Sequence, residues 1–253
     1  MSEAWIIDGV RSPRGRGKPG VGSLSEIHPQ RIMAQVLNGL KDKVGFDPAD
    51  VEDFVAGNGS GTGDHAHDIA RMSVLDAGWP ITTPGVTLHR FCGSGQQAVT
   101  VAAQSIMAGH QDLVIGGGVE SMSRYAPNHT DGFTANNTHL FEQYPLIPQG
   151  ISADLIATIE GFSREDVDGY AVRSQERTQA SIEAGYFKSG LVPIYHADGR
   201  LALDRDEHPR PGTTMESMVG LNPSFEKMGK TLYDGQVRTF DDICKSVYPN
   251  VKA

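Results

Sequence analysis

Through the first 120 residues, short apolar runs that stop at glycine alternate with longer spans whose apolar residues recur every three or four positions. Ala4-Trp5-Ile6-Ile7-Asp8 closes at Gly9 and predicts a buried strand. A basic, glycine- and proline-rich loop follows at 11–22. Ile32, Met33, Val36, Leu37, Leu40 and Val44 then predict an amphipathic helix over 29–44. The same reading predicts strands at 53–58, 86–89 and 112–115. It predicts helices from Ile69 to Ala77, stopped by Gly78, and from Gln96 to Met107, stopped by Gly109. Strand and helix in strict alternation imply an α/β layered fold with a largely parallel sheet.

The order changes beyond residue 120. Residues 124–150 are rich in Asn, Thr, Pro and aromatics and predict an ordered loop region. Helix begins near 152. Ser163-Arg164-Glu165-Asp166 has the form of a capping box, with Val167, Tyr170, Ala171, Ser174 and Thr178 along one helical face behind it and Gly185 as the stop. Residues 191–206 predict a β-like pair turning at Asp198-Gly199. From 230 onward the sequence carries no pattern.

The formal charge of −9 argues against nucleic acid as the main partner, because phosphate-backbone binding needs a basic surface. It leaves room for a phosphate-bearing small molecule, for which Arg14–Lys18, Arg205 and Arg210 are local candidates. No apolar run approaches the ~20 residues that span a bilayer, so no membrane role is expected. The N-terminus lacks the basic start and apolar core of a leader, so a cytoplasmic location is expected, and with it free thiols at Cys92 and Cys244. His65 and His67 would need two more ligands to hold a metal, so they are expected to be polar loop histidines, and no metal site is expected.

Cys92 stands in His89-Arg90-Phe91-Cys92-Gly93-Ser94-Gly95, at the expected turn from strand to helix. The first amides of a helix have no intrahelical partner, and the aligned peptide dipoles make that end positive. A thiolate there is stabilised, and Gly93 and Gly95 leave its approach open, which suits a nucleophile that forms a thioester. The alternative is a small buried core cysteine. Local pattern leaves the two readings open. Ser94 lies in Cys-Gly-Ser-Gly-Gln rather than in the G-x-S-x-G elbow, so serine-hydrolase chemistry is not expected.

The segment Arg90-Phe91-Cys92-Gly93-Ser94-Gly95-Gln96-Gln97-Ala98 closely resembles the nucleophile segment of thiolases. Four further stretches agree in order. They are Arg11-Ser12-Pro13-Arg14-Gly15, Gly117-Gly118-Val119-Glu120-Ser121-Met122-Ser123, Gly150-Ile151-Ser152-Ala153-Asp154, and Gly212–Met218 followed by Leu221-Asn222-Pro223. The resemblance runs from residue 4 to about 225. It implies a layered α/β/α N-terminal domain over 1–120 and an inserted, mainly helical coenzyme A-binding loop domain over 121–228. A tail over 229–253 would lead toward a C-terminal half-fold absent from this sequence.

The resemblance also implies a chemistry. Thiolases transfer an acyl group between coenzyme A and a second acyl-CoA, by cleavage of a 3-ketoacyl-CoA or by Claisen condensation. Cys92 would carry the acyl group. Arg210 would lie near the nucleotide phosphates of coenzyme A, Ser217 at the pantetheine arm, and Gln149 near the acyl chain. No metal or redox cofactor is implied, and coenzyme A enters as substrate. A homodimer or a tetramer is implied, with residues 57–75 and the Cys92 strand region near the contact.

The sequence departs from the family pattern in three places. His89 precedes Arg90 where thiolases usually have Asn. Pro148-Gln149 stand where short-chain members carry His-Met, which leaves the acyl length open. The Gly-His-Pro, Asn-Glu-Ala-Phe and Cys-x-Gly segments of the second half do not occur, and Cys244, followed by Lys245-Ser246, does not fit the last of them. Two expectations follow. Either the missing half, with the histidine that activates the nucleophile and the second cysteine that moves the α-proton, comes from another chain or was removed from this sequence, or the protein dimerises or binds acyl-CoA without efficient turnover. A ketoacyl synthase would share fold and nucleophile, but the coenzyme A loop segments argue against it.

Overall fold

The computed structural model describes residues 3–125, 137–232 and 237–251. They form two compact units, of which the first gathers the described residues up to Tyr125 with Gly185–His208, and the second gathers 137–184 with Pro209 onward. The segment 185–208, expected within the loop domain, thus packs with the first unit.

In the first unit, α1 spans Pro29–Val44, with proline at its first turn and Gly45 closing it at φ 83°. Strand β1 is Asp53–Gly57, helix α2 is Ile69–Asp76, and strand β2 is Val86–Leu88. Helix α3 is Ser94–Met107 and strand β3 is Val114–Gly118. The three strands are parallel in the order β2-β1-β3. Side chains alternate across a strand, and the alternation of β1 sorts the layers. Phe54 and Ala56 face α1 and α2, where Met33, Leu37, Val51, Ala70, Val74 and Trp79 complete the core. Val55 and Gly57 face the other way. A β-carbon on Gly57 would run into the backbone of Ser94 and Gly95, and one on Gly116 into Val99, so α3 lies flat on that second face. An α/β/α sandwich results, as the alternating pattern predicts.

Strand ends shift by one to three residues, most at β3, which runs on through Gly116–Gly118, and two further expectations differ from what forms. Residues 4–8 make no ladder among the described residues, and Trp5, Ile6 and Ile7 are 78%, 85% and 71% exposed. This strap is held at its C-terminal end. Lys43 pairs with Asp8 at 2.7 Å, the Arg11 amide donates to Gly190 at 2.8 Å, and the Val192 amide donates to Arg11 at 2.9 Å. An apolar run becomes a strand only when a neighbouring backbone takes its hydrogen bonds, and none of the described strands does so here. The second difference is the start of α3, two residues earlier than read, because Ser94 rather than the first long side chain opens it.

The pair β4 (Ile194–Tyr195) and β5 (Leu201–Leu203) is antiparallel and turns through Gly199 at φ 83°, as expected for Asp-Gly. Ile194 and Leu203 pack with Leu24, Ile27 and Ile32. Beyond β5, Asp206 takes a two-pronged guanidinium bond from Arg11 at 2.7 and 2.8 Å and the Arg14 amide at 2.8 Å. Glu207 accepts from the amides of Arg16 and Ser23 and from the Ser23 hydroxyl. The loop at 11–22 is therefore pinned by two adjacent carboxylates.

The Arg11 guanidinium holds the Asp206 carboxyl below the ordinary carboxylate range, against a smaller opposing effect of burial. Its stabilisation is therefore present above the unfolded carboxylate pKa of about 3.9 and is lost as pH falls below it. Asp206→Asn is expected to cost about 1–2 kcal/mol at pH 7, discounted for partial exposure. Urea titrations of both proteins should show that difference shrinking at pH 3.5; a gap that is unchanged at low pH would remove the ion pair from the account.

In the second unit, α4 is Thr138–Gln143, α5 is Gln149–Glu160 and α6 is Arg164–Glu183. Helix α7 is Met215–Val219, α8 is Glu226–Gly229 and α9 is Phe240–Val247. The Ser163–Asp166 box forms in both directions. Helix α9 lies in the segment that carried no pattern. Its Thr239–Asp242 box and its buried Ile243 and Cys244 order it. Cys244 is thus a buried helix residue, and burial pushes its thiol up. Of the expected loop region 124–150, residues 126–136 lie outside the described residues, as do 233–236 and 252–253 of the tail.

Candidate active site

Cys92 sits at the tip of the turn between β2 and α3, with Gly93 as the helix N-cap. Its thiol is free and exposed, so it is not a packed core cysteine. The backbone reaches it through Phe91, a non-glycine residue at φ 47°. Such left-handed backbone costs roughly 1–3 kcal/mol and persists only where surrounding bonds enforce it.

Ser94 enforces it. Its buried hydroxyl accepts from the Arg90 amide at 2.8 Å and lies 2.6 Å from the Phe91 carbonyl, to which it donates. The amides of Gly93 and Ser94 add bonds to the carbonyls of Arg90 and Phe91. Read from sequence, Ser94 was only an argument against hydrolase chemistry. In the structure it braces the turn that presents Cys92.

The floor of the site is the loop after β1. Asn58, buried, donates to the Val119 carbonyl at 2.8 Å and accepts from the amides of Ser60 and Gly61. Glu120 accepts from the Gly59 amide at 2.6 Å, and the Gly59 carbonyl lies 2.8 Å from His89 Nε2. The His89 ring packs edge-on against Phe91, centroids 4.9 Å apart. His89 thus ties the turn to the loop floor.

Beside this floor, burial raises the Tyr125 phenol, helped by the neighbouring charge of Glu120, so the phenol stays protonated. Tyr125 also donates to Glu120. His65, expected as a polar loop histidine, is fully buried. Its Nε2 accepts from the Ser121 amide at 2.8 Å, which places the proton of the neutral ring on Nδ1. Burial lowers its pKa, outweighing the pull of Glu120 and Asp64. Asn58, Glu120 and Tyr125 were missed because a lone Asn, Glu or Tyr between glycines has no periodic or spacing signal. Glu120 stood inside the Gly117–Ser123 stretch without an assigned role.

The other expected contacts, Arg210, Ser217 and Gln149, all belong to the second unit. Arg210 is exposed, its amide donating to Gln175 of α6 at 2.8 Å. Ser217 occupies the third position of α7 and shares a capping box with Thr214, donating to its carbonyl at 2.7 Å and accepting its amide at 3.1 Å. A hydroxyl has two lone pairs, so Ser217 keeps one acceptor site for a ligand N–H. Arg164 donates to the Met218 carbonyl at 2.9 Å, so the segment carrying Arg210 and Ser217 is fastened to α6 at two points. Gln149 is exposed and opens a different helix, α5, where a β-carbon on the next residue, Gly150, would strike the Phe225 ring.

Comparison with known proteins identifies this arrangement. The family described as "Thiolase, N-terminal domain" matches residues 4–236. A steroid 3-ketoacyl-CoA thiolase of Mycobacterium tuberculosis is 38% identical, covering 89% of this chain and 57% of its own length. A beta-ketoadipyl-CoA thiolase of Pseudomonas aeruginosa is 37% identical, covering 87% of this chain and 59% of its own length. The crystal structure of the Bacillus anthracis acetyl-CoA acetyltransferase superposes with a TM-score of 0.75 at 31% identity, covering 88% of this chain and 59% of that one. The chain spans about three fifths of the length of these relatives.

Proposed function

This chain belongs to the thiolase family, and on that premise we propose that it carries the acyl-accepting part of an acyl-CoA C-acyltransferase. The observation that carries the proposal is the exposed Cys92 on a braced turn at the start of α3. In cleavage, the Cys92 thiolate bonds to the 3-keto carbon of a 3-ketoacyl-CoA. The bond between carbons 2 and 3 breaks, and its electron pair leaves with acetyl-CoA, which takes up a proton. The thiolate of coenzyme A then attacks the acyl-Cys92 thioester. That releases a shortened acyl-CoA and returns the electron pair to the Cys92 sulfur. Condensation runs the same bonds in reverse.

Coenzyme A is substrate in this scheme, and no resident metal or redox cofactor is needed. The reading assigns the nucleotide phosphates to Arg210, the pantetheine amide to the free lone pair of Ser217 and the acyl chain to the neighbourhood of Gln149. A homodimer or tetramer and a cytoplasmic setting belong to the same proposal. The decisive assay is thiolysis of acetoacetyl-CoA and of a longer 3-ketoacyl-CoA, by the chain alone and with a polypeptide carrying the C-terminal part of a relative. Turnover in neither condition would defeat the enzyme reading and leave acyl-CoA binding without turnover.

Arg210→Ala is expected to raise the KM for coenzyme A about tenfold, the worth of one charge-assisted phosphate contact, with kcat nearly unchanged. The effect should fade in high salt. A change confined to kcat would place Arg210 elsewhere.

A further inference from the structure

The floor of the site is two loops clasped together, residues 57–65 after β1 and residues 119–125 after β3. The Val119 amide donates to the Gly57 carbonyl at 3.2 Å, and Asn58 donates to the Val119 carbonyl at 2.8 Å. The Gly59 amide donates to Glu120 at 2.6 Å, and Arg124 donates to Asp64 at 2.6 Å. The Ser121 amide donates to Nε2 of His65 at 2.8 Å.

His65 is the member of this clasp that packing does not explain. Its ring is fully buried, yet Nδ1 has no hydrogen-bond partner among the described residues. With Nε2 accepting, Nδ1 carries the proton, so a buried donor is left unmet. An unmet buried donor weakens folding, which makes an imidazole a poor choice here for stability alone.

What the ring holds leads to the nucleophile. Ser121 follows Glu120, whose carboxylate fixes Gly59. The Gly59 carbonyl meets His89, and the His89 ring packs on Phe91, the left-handed residue before Cys92. We propose that His65 is a positioning residue for Cys92: by holding the Ser121 amide it fixes Glu120 and the Gly59 loop, and through His89 and Phe91 it sets the turn that presents the thiol. This role rests on the reading of Cys92 as the nucleophile.

The acceptor exists only on the neutral ring. A proton on Nε2 turns it into a donor facing the Ser121 N–H, and the bond is lost. The groups that face the ring are Glu120, Asp64, His28, Arg124 and Tyr125. Burial disfavours the charged ring most; Glu120 and Asp64 favour it, and His28 and Arg124 oppose it. The net effect holds the folded pKa below the unfolded value of about 6.5. The bond is therefore intact above about pH 6.5 and is lost as pH falls through the folded pKa.

The experiment uses the chain as it is and needs no acyl-CoA. Dipyridyl disulfide reacts with thiols into the acid range, and peptide mapping separates exposed Cys92 from buried Cys244. Rates are taken relative to a free cysteine peptide at the same pH. A loosened turn gives up the stabilisation of the thiolate by the helix end, so His65→Leu should slow Cys92 about tenfold at about pH 8. His65→Gln places an amide oxygen where Nε2 stood and should stay within about threefold of the native rate. From about pH 8 to about pH 5 the native relative rate should fall about fivefold, while that of His65→Gln stays level. His28 and His89 remain in that variant, so its profile isolates the ring at 65. Equal rates for His65→Leu and the native chain overturn the role. So do a His65→Gln rate as low as that of His65→Leu, or parallel pH profiles for His65→Gln and the native chain. If His65→Leu does not fold, the His65→Gln profile decides alone. Absence of thiolysis by the complemented protein would defeat the enzyme reading and leave the coupling of His65 to the Cys92 turn standing.

Discussion

Cys92→Ala is expected to lower thiolysis by the complemented protein on the order of 10⁴-fold or more, because loss of a covalent nucleophile leaves only binding and positioning. Cys92→Ser should fare little better, because a hydroxyl ionises far less readily than a thiol and is a poorer leaving group when coenzyme A attacks the acyl intermediate. Intact-mass measurement after incubation with acyl-CoA separates the steps. The native chain should gain one acyl group and lose it on addition of coenzyme A, and neither variant should gain one. Acylation that persists in Cys92→Ala, or that maps to Cys244, would end the assignment. Folding should be unaffected, because the side chain is exposed and contributes nothing to either apolar cluster.

The second large effect is expected at a residue with no side chain. Gly57→Ala adds a methyl group aimed at the backbone of Ser94 and Gly95, which a rotamer change cannot move aside. Overpacking of that kind costs about 1–3 kcal/mol and more where backbone must give, a large share of a total stability of roughly 5–15 kcal/mol. The strain falls on the residue whose hydroxyl braces the Cys92 turn. We therefore expect both a lower urea midpoint and at least about a tenfold loss of acyl transfer in whatever fraction stays folded. The comparison is Gly117→Ala, where the added methyl meets only the edge of the Phe54 ring at 3.9 Å. If the two variants behaved alike, close contact between β1 and α3 would not be what sets the site.

Much of the fold was legible because it follows from local rules. The apolar spacing of α1, the glycine stops after α1 and α2, and the Ser163 box each depend on residues within a few positions of one another. The nucleophile was legible in part, from glycines around a cysteine at a strand-to-helix turn. What failed to show depends on distant partners. The strap at 4–8 has the composition of a strand, but pairing is settled by a neighbour across space. The return of 185–208 to the first unit rests on Ile194 and Leu203 meeting Ile32, and on carboxylates meeting Arg11 and Ser23. Helix α9 rests on a two-turn amphipathic face too short to stand out in a polar stretch. Around Cys92, the brace from Ser94 and the Asn58–Glu120 floor are hydrogen-bond geometry, which residue type does not disclose.

The bond between Arg11 and Asp206 joins positions 195 residues apart. A growing chain cannot close the first unit until that distant segment has left the ribosome, by which time 137–184 has already emerged and can form its own helices. Closure of so long a loop is entropically slow, and the β1 core must wait exposed or be shielded meanwhile. Synthesis order thus leaves the β1 core without its 185–208 partners until residue 206 arrives.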